Sequence, residues 1–215
     1  MPFLTTPQLI LPRKDDNGNP TQDNIWHTLP SVNGPRSVKG FMGDDDWQAS
    51  WFYSLGYFTH GTAVELGSFN GLSSVLFGMG MRDSPWQDGK LICIDWFKDG
   101  FSPNHEGDIW QKFHDNINAF GVQHHVTAVQ GSCEDPNVIP FTPLEWLYMD
   151  ASHFIKELRV NMEIFGPMVK PGGLFLWHDT HMPEVLEHIA ECKERDGIVP
   201  VITDRPDFQC WMKPL

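Results

Sequence analysis

The chain has 215 residues, of which 40% are hydrophobic and 13% aromatic, so it can bury a core without disulfide or metal cross-links. Its formal net charge is -13, from 28 acidic and 15 basic residues. An electrostatic field of this sign repels phosphate backbones and anionic lipids. We therefore expect a globular protein that binds neither nucleic acid nor a membrane.

The first residues lack the basic start and continuous apolar core of a signal peptide. No later run approaches the roughly 20 apolar residues of a membrane span. The cysteines show neither the spacing of a disulfide framework nor that of a zinc motif. They are Cys93, Cys133, Cys192 and Cys210. These features predict a soluble cytoplasmic protein with reduced thiols.

Prolines interrupt the first 43 residues at six positions, and a polar run at 15–19 lies among them. Because proline breaks helices and central strands, no regular element of normal length fits this stretch. We expect residues 1–43 to form an irregular arm or cap on a domain that covers residues 44–215.

Apolar runs and turn residues alternate along the rest of the chain. Helical spacing of apolar residues predicts helices at about 45–58, 72–81, 108–120, 154–169 and 182–195. Short apolar runs predict strands at about 61–66, 90–95, 125–130, 144–150, 174–179, 198–203 and 207–212. Strands that alternate with helices indicate an α/β fold with a parallel sheet covered on both faces.

The first strand leads into a glycine turn, Glu65-Leu66-Gly67-Ser68-Phe69-Asn70-Gly71. Gly67 and Gly71 permit backbone conformations and close ligand approach that a side chain would block. A helix that opens at Leu72 would direct unpaired N–H groups into this turn. The pattern is typical of a nucleotide or cofactor site, although glycine turns of this kind also occur without a ligand.

Four acidic residues stand where predicted strands end, and they are Glu65, Asp95, Asp150 and Asp179. The carboxyl ends of parallel strands meet at one edge of a sheet, where ligands bind in such folds. We therefore predict one shared site at this edge. The aromatic, irregular segment at 96–107 follows the second strand and is expected to act as a lid.

In its motifs the chain resembles the class I S-adenosylmethionine-dependent methyltransferases. The similar features are the glycine turn at 65–71, Asp95 at the end of the second strand, and Pro171-Gly172-Gly173 before the fifth. Asp150-Ala151-Ser152-His153 and Trp177-His178-Asp179-Thr180 are similar to a bacterial small-molecule branch that includes macrocin O-methyltransferase and cephalosporin hydroxylase-like proteins. The resemblance implies a Rossmann-like, doubly wound, mostly parallel seven-stranded sheet with a C-terminal antiparallel strand. The Pro-Gly-Gly segment would be the turn before the fifth strand.

The resemblance also implies a set of residues that bind S-adenosylmethionine. Glu65 would face the methionine end or the sulfonium, and Asp95 would accept hydrogen bonds from the ribose hydroxyls. The remaining residues would cradle the methionine part, flank the adenine or supply an apolar wall. They are Gly67, Ser68, Gly71, Trp96, Ser132 and Cys133.

Asp150 and Asp179 correspond to acids that hold Mg²⁺ in metal-dependent relatives, where the ion binds and orients the acceptor hydroxyl. His178 stands where such relatives commonly carry a second acid, and imidazole is a poor ligand for a hard ion. Three alternatives remain open: Mg²⁺ on the two aspartates with waters, a softer ion, or no metal. In the last case a histidine, His153 or His178 ahead of His181, serves as the general base.

The sequence therefore predicts an S-adenosylmethionine-dependent O-methyltransferase that acts on a small hydroxylated metabolite. One alternative is a non-catalytic binding or scaffold protein with the same fold. A nicotinamide-dependent oxidoreductase is the other, but residues 67–72 lack the Gly-x-Gly-x-x-Gly spacing that seats a pyrophosphate. The acceptor, the metal and the oligomeric state, a homo-oligomer included, stay open.

Overall fold

A computed structural model of the chain describes Val38 and residues 46–98, 107–135, 137 and 142–215. The predicted arm at 1–43 lies outside the described residues except for Val38. Most of the predicted lid at 96–107 does so too. Within the described ranges, no helix is long and apolar enough to cross a membrane.

Each predicted helix and strand has a counterpart among the described residues. The helices are α1 (Asp46–Tyr57), α2 (Leu72–Asp83), α3 (Ile109–Ala119), α4 (Ile155–Phe165) and α5 (Pro183–Asp196). The strands are β1 (Thr62–Leu66), β2 (Lys90–Asp95), β3 (Val126–Gln130), β4 (Leu144–Met149), β5 (Val169–His178), β6 (Val199–Ile202) and β7 (Phe208–Met212). The strands that end at the shared edge are buried along most of their length. Their residues are therefore mostly apolar, which is why the apolar runs of the sequence mark where these strands lie.

The strands form one seven-stranded sheet in the order β3-β2-β1-β4-β5-β7-β6. Neighbours from β3 through β5 are parallel, and β7 is antiparallel to both β5 and β6. The predicted Rossmann-like sheet with one antiparallel C-terminal strand is therefore confirmed. The strand order reverses between β1 and β4, and a ligand crevice is expected at the carboxyl ends of strands at such a point.

Apolar layers cover both faces of the sheet. On one face α1, α2 and α3 bury large aromatic side chains, among them Trp51, Phe52 and Phe77. On the other face α4 and α5 pack Phe165 and other apolar side chains against the sheet. Burial of apolar area at roughly 25 cal/mol per Å² stabilises this arrangement. The rigid sheet in turn fixes the positions of the side chains at its carboxyl edge.

The segment before β5 differs from the prediction. The helix predicted to reach residue 169 ends at Phe165, and a short 3₁₀ helix, Gly166–Met168, follows it. Pro167 explains this end, because proline lacks the N–H that a continuing α-helix needs. Residues 171–173 then lie inside β5, where the register with β4 shifts, and Gly172 has φ +76°. The predicted turn there is wrong: the segment is a bulge within the strand.

Candidate active site

The turn after β1 contacts the end of β4 directly. Gly67 has φ +83°, and its N–H donates to the carbonyl of Ile94 at 2.9 Å. A Cβ at Gly67 would lie 2.5 Å from Ala151 Cα and 2.6 Å from Asp150 O. Both the positive φ and this close approach require glycine. The glycine therefore brings the turn against the residues that follow β4.

The carboxylate of Asp95 holds the same turn from the β2 side. Oδ2 accepts the backbone N–H of Ser68 at 2.8 Å and that of Phe69 at 2.9 Å. Oδ1 accepts the N–H of Phe97 at 2.7 Å. Hydrogen bonds to an ionised acceptor are stronger than neutral ones, so this clamp makes the turn rigid.

Glu65 lies beneath the turn and is fully buried. Its carboxyl accepts hydrogen bonds from Ser68 Oγ at 2.9 Å, from the hydroxyls of Ser73 and Ser74, and from Cys93 Sγ at 3.2 Å. Burial raises the pKa of Glu65 to about 7, and the surrounding donors only partly oppose this rise. The carboxyl thus ties the turn to the first turn of α2.

A cavity of about 920 Å³ opens at the carboxyl edge of the sheet. The glycine turn and the ends of β2, β4 and β5 contribute to its wall. Among the lining residues are Gly67, Ser68, Asp95, Trp96, Ser132, Cys133, Tyr148, Asp150, His153, His178 and Asp179. The crevice expected from the strand order is present at this edge.

Most of the residues predicted to bind the cofactor line this cavity, but Glu65 and Gly71 do not. Gly71, with φ +86°, caps α2 and accepts the N–H of Val75 on its carbonyl. Burial raises the pKa of Cys133 to about 12, which keeps this thiol protonated. Cys133 is therefore placed as a wall residue.

At the ends of β4 and β5 two aspartates and two histidines lie within contact of one another. His178 Nδ1 lies 3.1 Å from both Asp150 Oδ1 and Asp179 Oδ2. His153 Nε2 lies 2.7 Å from Asp179 Oδ2. Tyr148 donates its hydroxyl to Asp150 Oδ2 at 3.1 Å. We call Asp150, His153, His178 and Asp179 the acid–imidazole cluster.

The charges in the acid–imidazole cluster stabilise one another. Burial disfavours a charged His178, but the two aspartates outweigh it and raise its pKa to about 10. Asp179 also raises the pKa of His153. Although burial acts against ionisation of Asp179, the two imidazoles hold the pKa of its carboxyl well below the usual range. The two carboxylates therefore favour the charged form of His178.

Asp179 adopts φ +50°, which is uncommon for a residue with a side chain. Such strain persists where the surroundings impose it, and it concentrates at functional sites. The following residue is Thr180, whose Oγ1 donates to the carbonyl of Pro206 at 3.0 Å. This hydrogen bond holds the chain in place just after the end of β5. The strained residue thus points its carboxylate into the cluster.

A family model described as a methyltransferase domain matches residues 64–180 of the chain. The chain belongs to this methyltransferase family. The match covers the glycine turn, Asp95 and the whole acid–imidazole cluster. The predicted class I S-adenosylmethionine-dependent enzyme is confirmed at this level.

Solved structures of other methyltransferases share the fold of this methyltransferase at low sequence identity. The O-methyltransferase NovP is 16% identical with a TM-score of 0.63, over 78% of this chain and 80% of that one. Podospora anserina PaMTH1, bound to S-adenosylhomocysteine, is 12% identical with a TM-score of 0.62, over 88% and 86%. CalS11, a TDP-rhamnose 3'-O-methyltransferase, is 14% identical with a TM-score of 0.59, over 84% and 83%.

Sequence reasoning missed several polar residues that line the cavity of the methyltransferase, among them Tyr148, Glu157 and Asn161. Glu157 lies in the first turn of α4. Tyr148 precedes Asp150 by two residues, so strand periodicity would have placed both on one face. Asn161 follows Glu157 by four residues on α4, and helical periodicity would have grouped that pair.

His181, the third candidate base, is exposed and pairs with Asp207 Oδ1 at 3.0 Å. It lies 3.9 Å from Asp179 Oδ1 and is not among the lining residues. Arg159 on α4 is also exposed and pairs with Glu191. His181 therefore ranks behind His153 and His178.

Proposed function

We propose that this methyltransferase moves the methyl group of S-adenosylmethionine to an oxygen of a small hydroxylated metabolite, such as a sugar, a polyketide or a phenol. One observation carries this proposal: the glycine turn and the acid–imidazole cluster line the same cavity. O-methyl transfer needs a methyl donor beside groups that bind a hydroxyl and take its proton. Both requirements can be met within this cavity.

The cofactor would lie against the glycine turn. Gly67 and Ser68 allow its methionine part to approach the backbone. Asp95 Oδ1 has a described donor in Phe97 N–H, and its second lone pair can accept a ribose hydroxyl. Ser132 would lie beside the adenine. When bound, the cofactor supplies a methyl group on a sulfonium leaving group.

The acceptor hydroxyl would bind at the acid–imidazole cluster. Its oxygen would form a bond to the methyl carbon of the cofactor as the carbon–sulfur bond breaks, and S-adenosylhomocysteine would be the leaving group. In the metal-free protein His153, which is half-buried beside the cavity, can take the hydroxyl proton, because Asp179 stabilises the imidazolium that results. His178 would hold both aspartates in place through its contacts with their carboxylates.

The cluster also contains donors that fit a divalent cation. Asp150, His153 and Asp179 each offer an atom, and these atoms lie within 4.8 Å of one another. His178 Nδ1 and His153 Nε2 are buried without an aligned hydrogen bond among the described residues. A bound ion would lower the pKa of the acceptor hydroxyl and orient it toward the methyl group.

Charge supports a small-molecule acceptor over a nucleic acid, because a net charge of -13 repels phosphate backbones. The size of the cavity also suits a cofactor with a small acceptor. CalS11 is named for a sugar nucleotide acceptor, which supports hydroxylated sugars as the first class to test.

The first experiment compares ligands by thermal shift. S-adenosylhomocysteine should raise the melting temperature of the protein, because a ligand that binds only the native state stabilises that state. NAD should leave the melting temperature unchanged, because we expect it not to bind. The protein is then incubated with methyl-labelled S-adenosylmethionine and a panel of phenols, polyketides and sugar nucleotides. Labelled product from a hydroxylated acceptor supports the proposal. Cofactor binding without transfer to any of them would favour a non-catalytic binding protein.

The second experiment separates binding from chemistry. Asp150→Asn and Asp179→Asn should reduce methyl transfer by about 100-fold or more and leave S-adenosylhomocysteine affinity within about threefold of wild type. Asp207→Asn is the matched control, since Asp207 is exposed and contacts His181 instead of the cluster. Unchanged transfer rates in both cluster variants would contradict the assigned role of the two aspartates.

A further inference from the structure

We propose that Asp150, His153 and Asp179 form a site of mixed oxygen and nitrogen ligands that selects a transition-metal ion such as Mn²⁺ or Co²⁺ over Mg²⁺. This site is the one at which the acceptor hydroxyl would bind in the proposed O-methyl transfer. The binding of the ion does not depend on that function, but the catalytic role of the ion does. We assign His153 as a metal ligand, a role that the family match does not give it.

The spacing of the donor atoms suits one ion. Ligands at about 2.1 Å from a metal lie about 3 to 4 Å from one another. The three donor atoms lie within 4.8 Å of one another, and His153 Nε2 is 2.7 Å from Asp179 Oδ2. Small side-chain rotations would therefore bring all three onto one ion.

The imidazole nitrogens give an independent observation. Despite the 2.7 Å separation, His153 Nε2 is not aligned for a hydrogen bond with Asp179 and has no other hydrogen-bond partner among the described residues. His178, whose side chain is 7% exposed, also directs an unaligned Nδ1 at the same two carboxylates. Both imidazole nitrogens thus meet carboxylate oxygens at ion-pair distance without hydrogen-bond alignment, so nitrogen and oxygen donors converge at one point of the site.

The ligand types decide which ion fits. Mg²⁺ favours an octahedron of oxygens and is reluctant to exchange its waters, whereas imidazole is a common ligand of transition metals. Two carboxylates supply oxygen ligands that carry negative charge, and His153 supplies a nitrogen ligand. Three protein ligands leave positions open toward the cavity, as in catalytic metal sites. His178 would act from behind by positioning both aspartates.

The test begins with full-length protein freed of metal by a chelator. Calorimetric titration should show one Mn²⁺ or Co²⁺ bound per chain, about tenfold or more tighter than Mg²⁺. Pulsed electron paramagnetic resonance of the Mn²⁺ complex should show coupling to an imidazole nitrogen. His153→Gln should abolish the nitrogen coupling and weaken Mn²⁺ binding by about tenfold or more. His153→Asp should shift the preference toward Mg²⁺.

His181→Gln is the matched control, since this nearby histidine is exposed and pairs with Asp207. It should retain both the nitrogen coupling and the ion preference. Equal affinity for Mg²⁺ and Mn²⁺, absence of nitrogen coupling in the wild type, or coupling that persists in His153→Gln would each overturn the proposal. If His153→Gln does not fold, the wild-type coupling and ion preference still decide the question.

The methyl-transfer assay tests the proposed function separately. Transfer by protein that binds no metal would overturn this inference and leave O-methyl transfer intact, with His153 as the base. If the protein binds the metal as predicted but does not bind S-adenosylhomocysteine, the metal site stands and the proposed O-methyl transfer is contradicted.

Discussion

Asp95 Oδ2 accepts the backbone N–H of Ser68 at 2.8 Å, and this contact joins the end of β2 to the turn after β1. The acid at the end of the second strand thus shapes the cofactor turn in addition to any contact with the ribose. We propose that this one side chain couples the conformation of the turn to the affinity for the cofactor.

Replacing Asp95 with asparagine tests this coupling. Asp95→Asn removes the charge that strengthens the hydrogen bonds from Ser68, Phe69 and Phe97. Hydrogen bonds to charged groups contribute about 1.5 to 3 kcal/mol each, so we expect S-adenosylhomocysteine to bind at least about tenfold more weakly. Calorimetric titration measures the affinity. Asp88→Asn, on an exposed aspartate that pairs with His60, should have no effect.

Substituting alanine for Gly67 should disrupt the site by steric contact. The new Cβ would lie 2.5 Å from Ala151 Cα, which is a steric clash. The left-handed backbone conformation would cost alanine a further penalty of about 1 to 2 kcal/mol, which is usual for a residue with a side chain. Gly121→Ala is the control, because Gly121 has φ +66° but its Cβ would have only Arg82 Nη1 near it, at 3.8 Å. Chemical denaturation should show a clearly larger loss of stability for Gly67→Ala. Equal losses in the two variants would mean that backbone strain alone acts at Gly67.

The buried carboxyl of Glu65 should make stability depend on pH. Its folded pKa of about 7 lies above the usual 4.5, so the folded state holds a proton that the unfolded state releases. The resulting stability is fully present below pH 4.5 and is lost as the pH rises through about 7. The loss is roughly 3 kcal/mol, since one pKa unit corresponds to about 1.4 kcal/mol.

Glu65→Gln keeps a neutral side chain at every pH and should remove this dependence. Urea denaturation from pH 5 to about pH 8 should show the wild type losing stability relative to the variant. A constant difference between the two proteins across that range would show that Glu65 does not titrate there.

His188 should produce a pH dependence of the opposite sign. It is buried against Trp177, whose Nε1 donates to His188 Nδ1 at 3.3 Å, and burial lowers its pKa to about 4. The unfolded state therefore takes up a proton first, and stability is lost as the pH falls from 6.5 toward 4. His188→Gln, whose amide oxygen can accept from Trp177, should lose less stability over this range. Urea denaturation from pH 6.5 down to about pH 4 checks it, and parallel curves for the two proteins would contradict the assignment.

The amino-acid sequence by itself determined the order of strands and helices, because buried parallel strands are apolar runs and their ends are marked by glycine, proline or an acid. It also placed Asp95, Asp150 and Asp179 at one edge, since parallel strands end together. The segment at 171–173 was misread because the register shift between β4 and β5 arises from pairing between distant strands.

Only the tertiary structure decided where each side chain points. Glu65 and Asp95 look alike in sequence as acids at strand ends, yet Glu65 is enclosed by hydroxyls beneath the turn and Asp95 lines the cavity. His153 and Asp179 are 26 residues apart in the sequence, and their 2.7 Å contact depends on β4 pairing with β5. Direction and contact depend on packing between distant segments, and no local pattern encodes that packing.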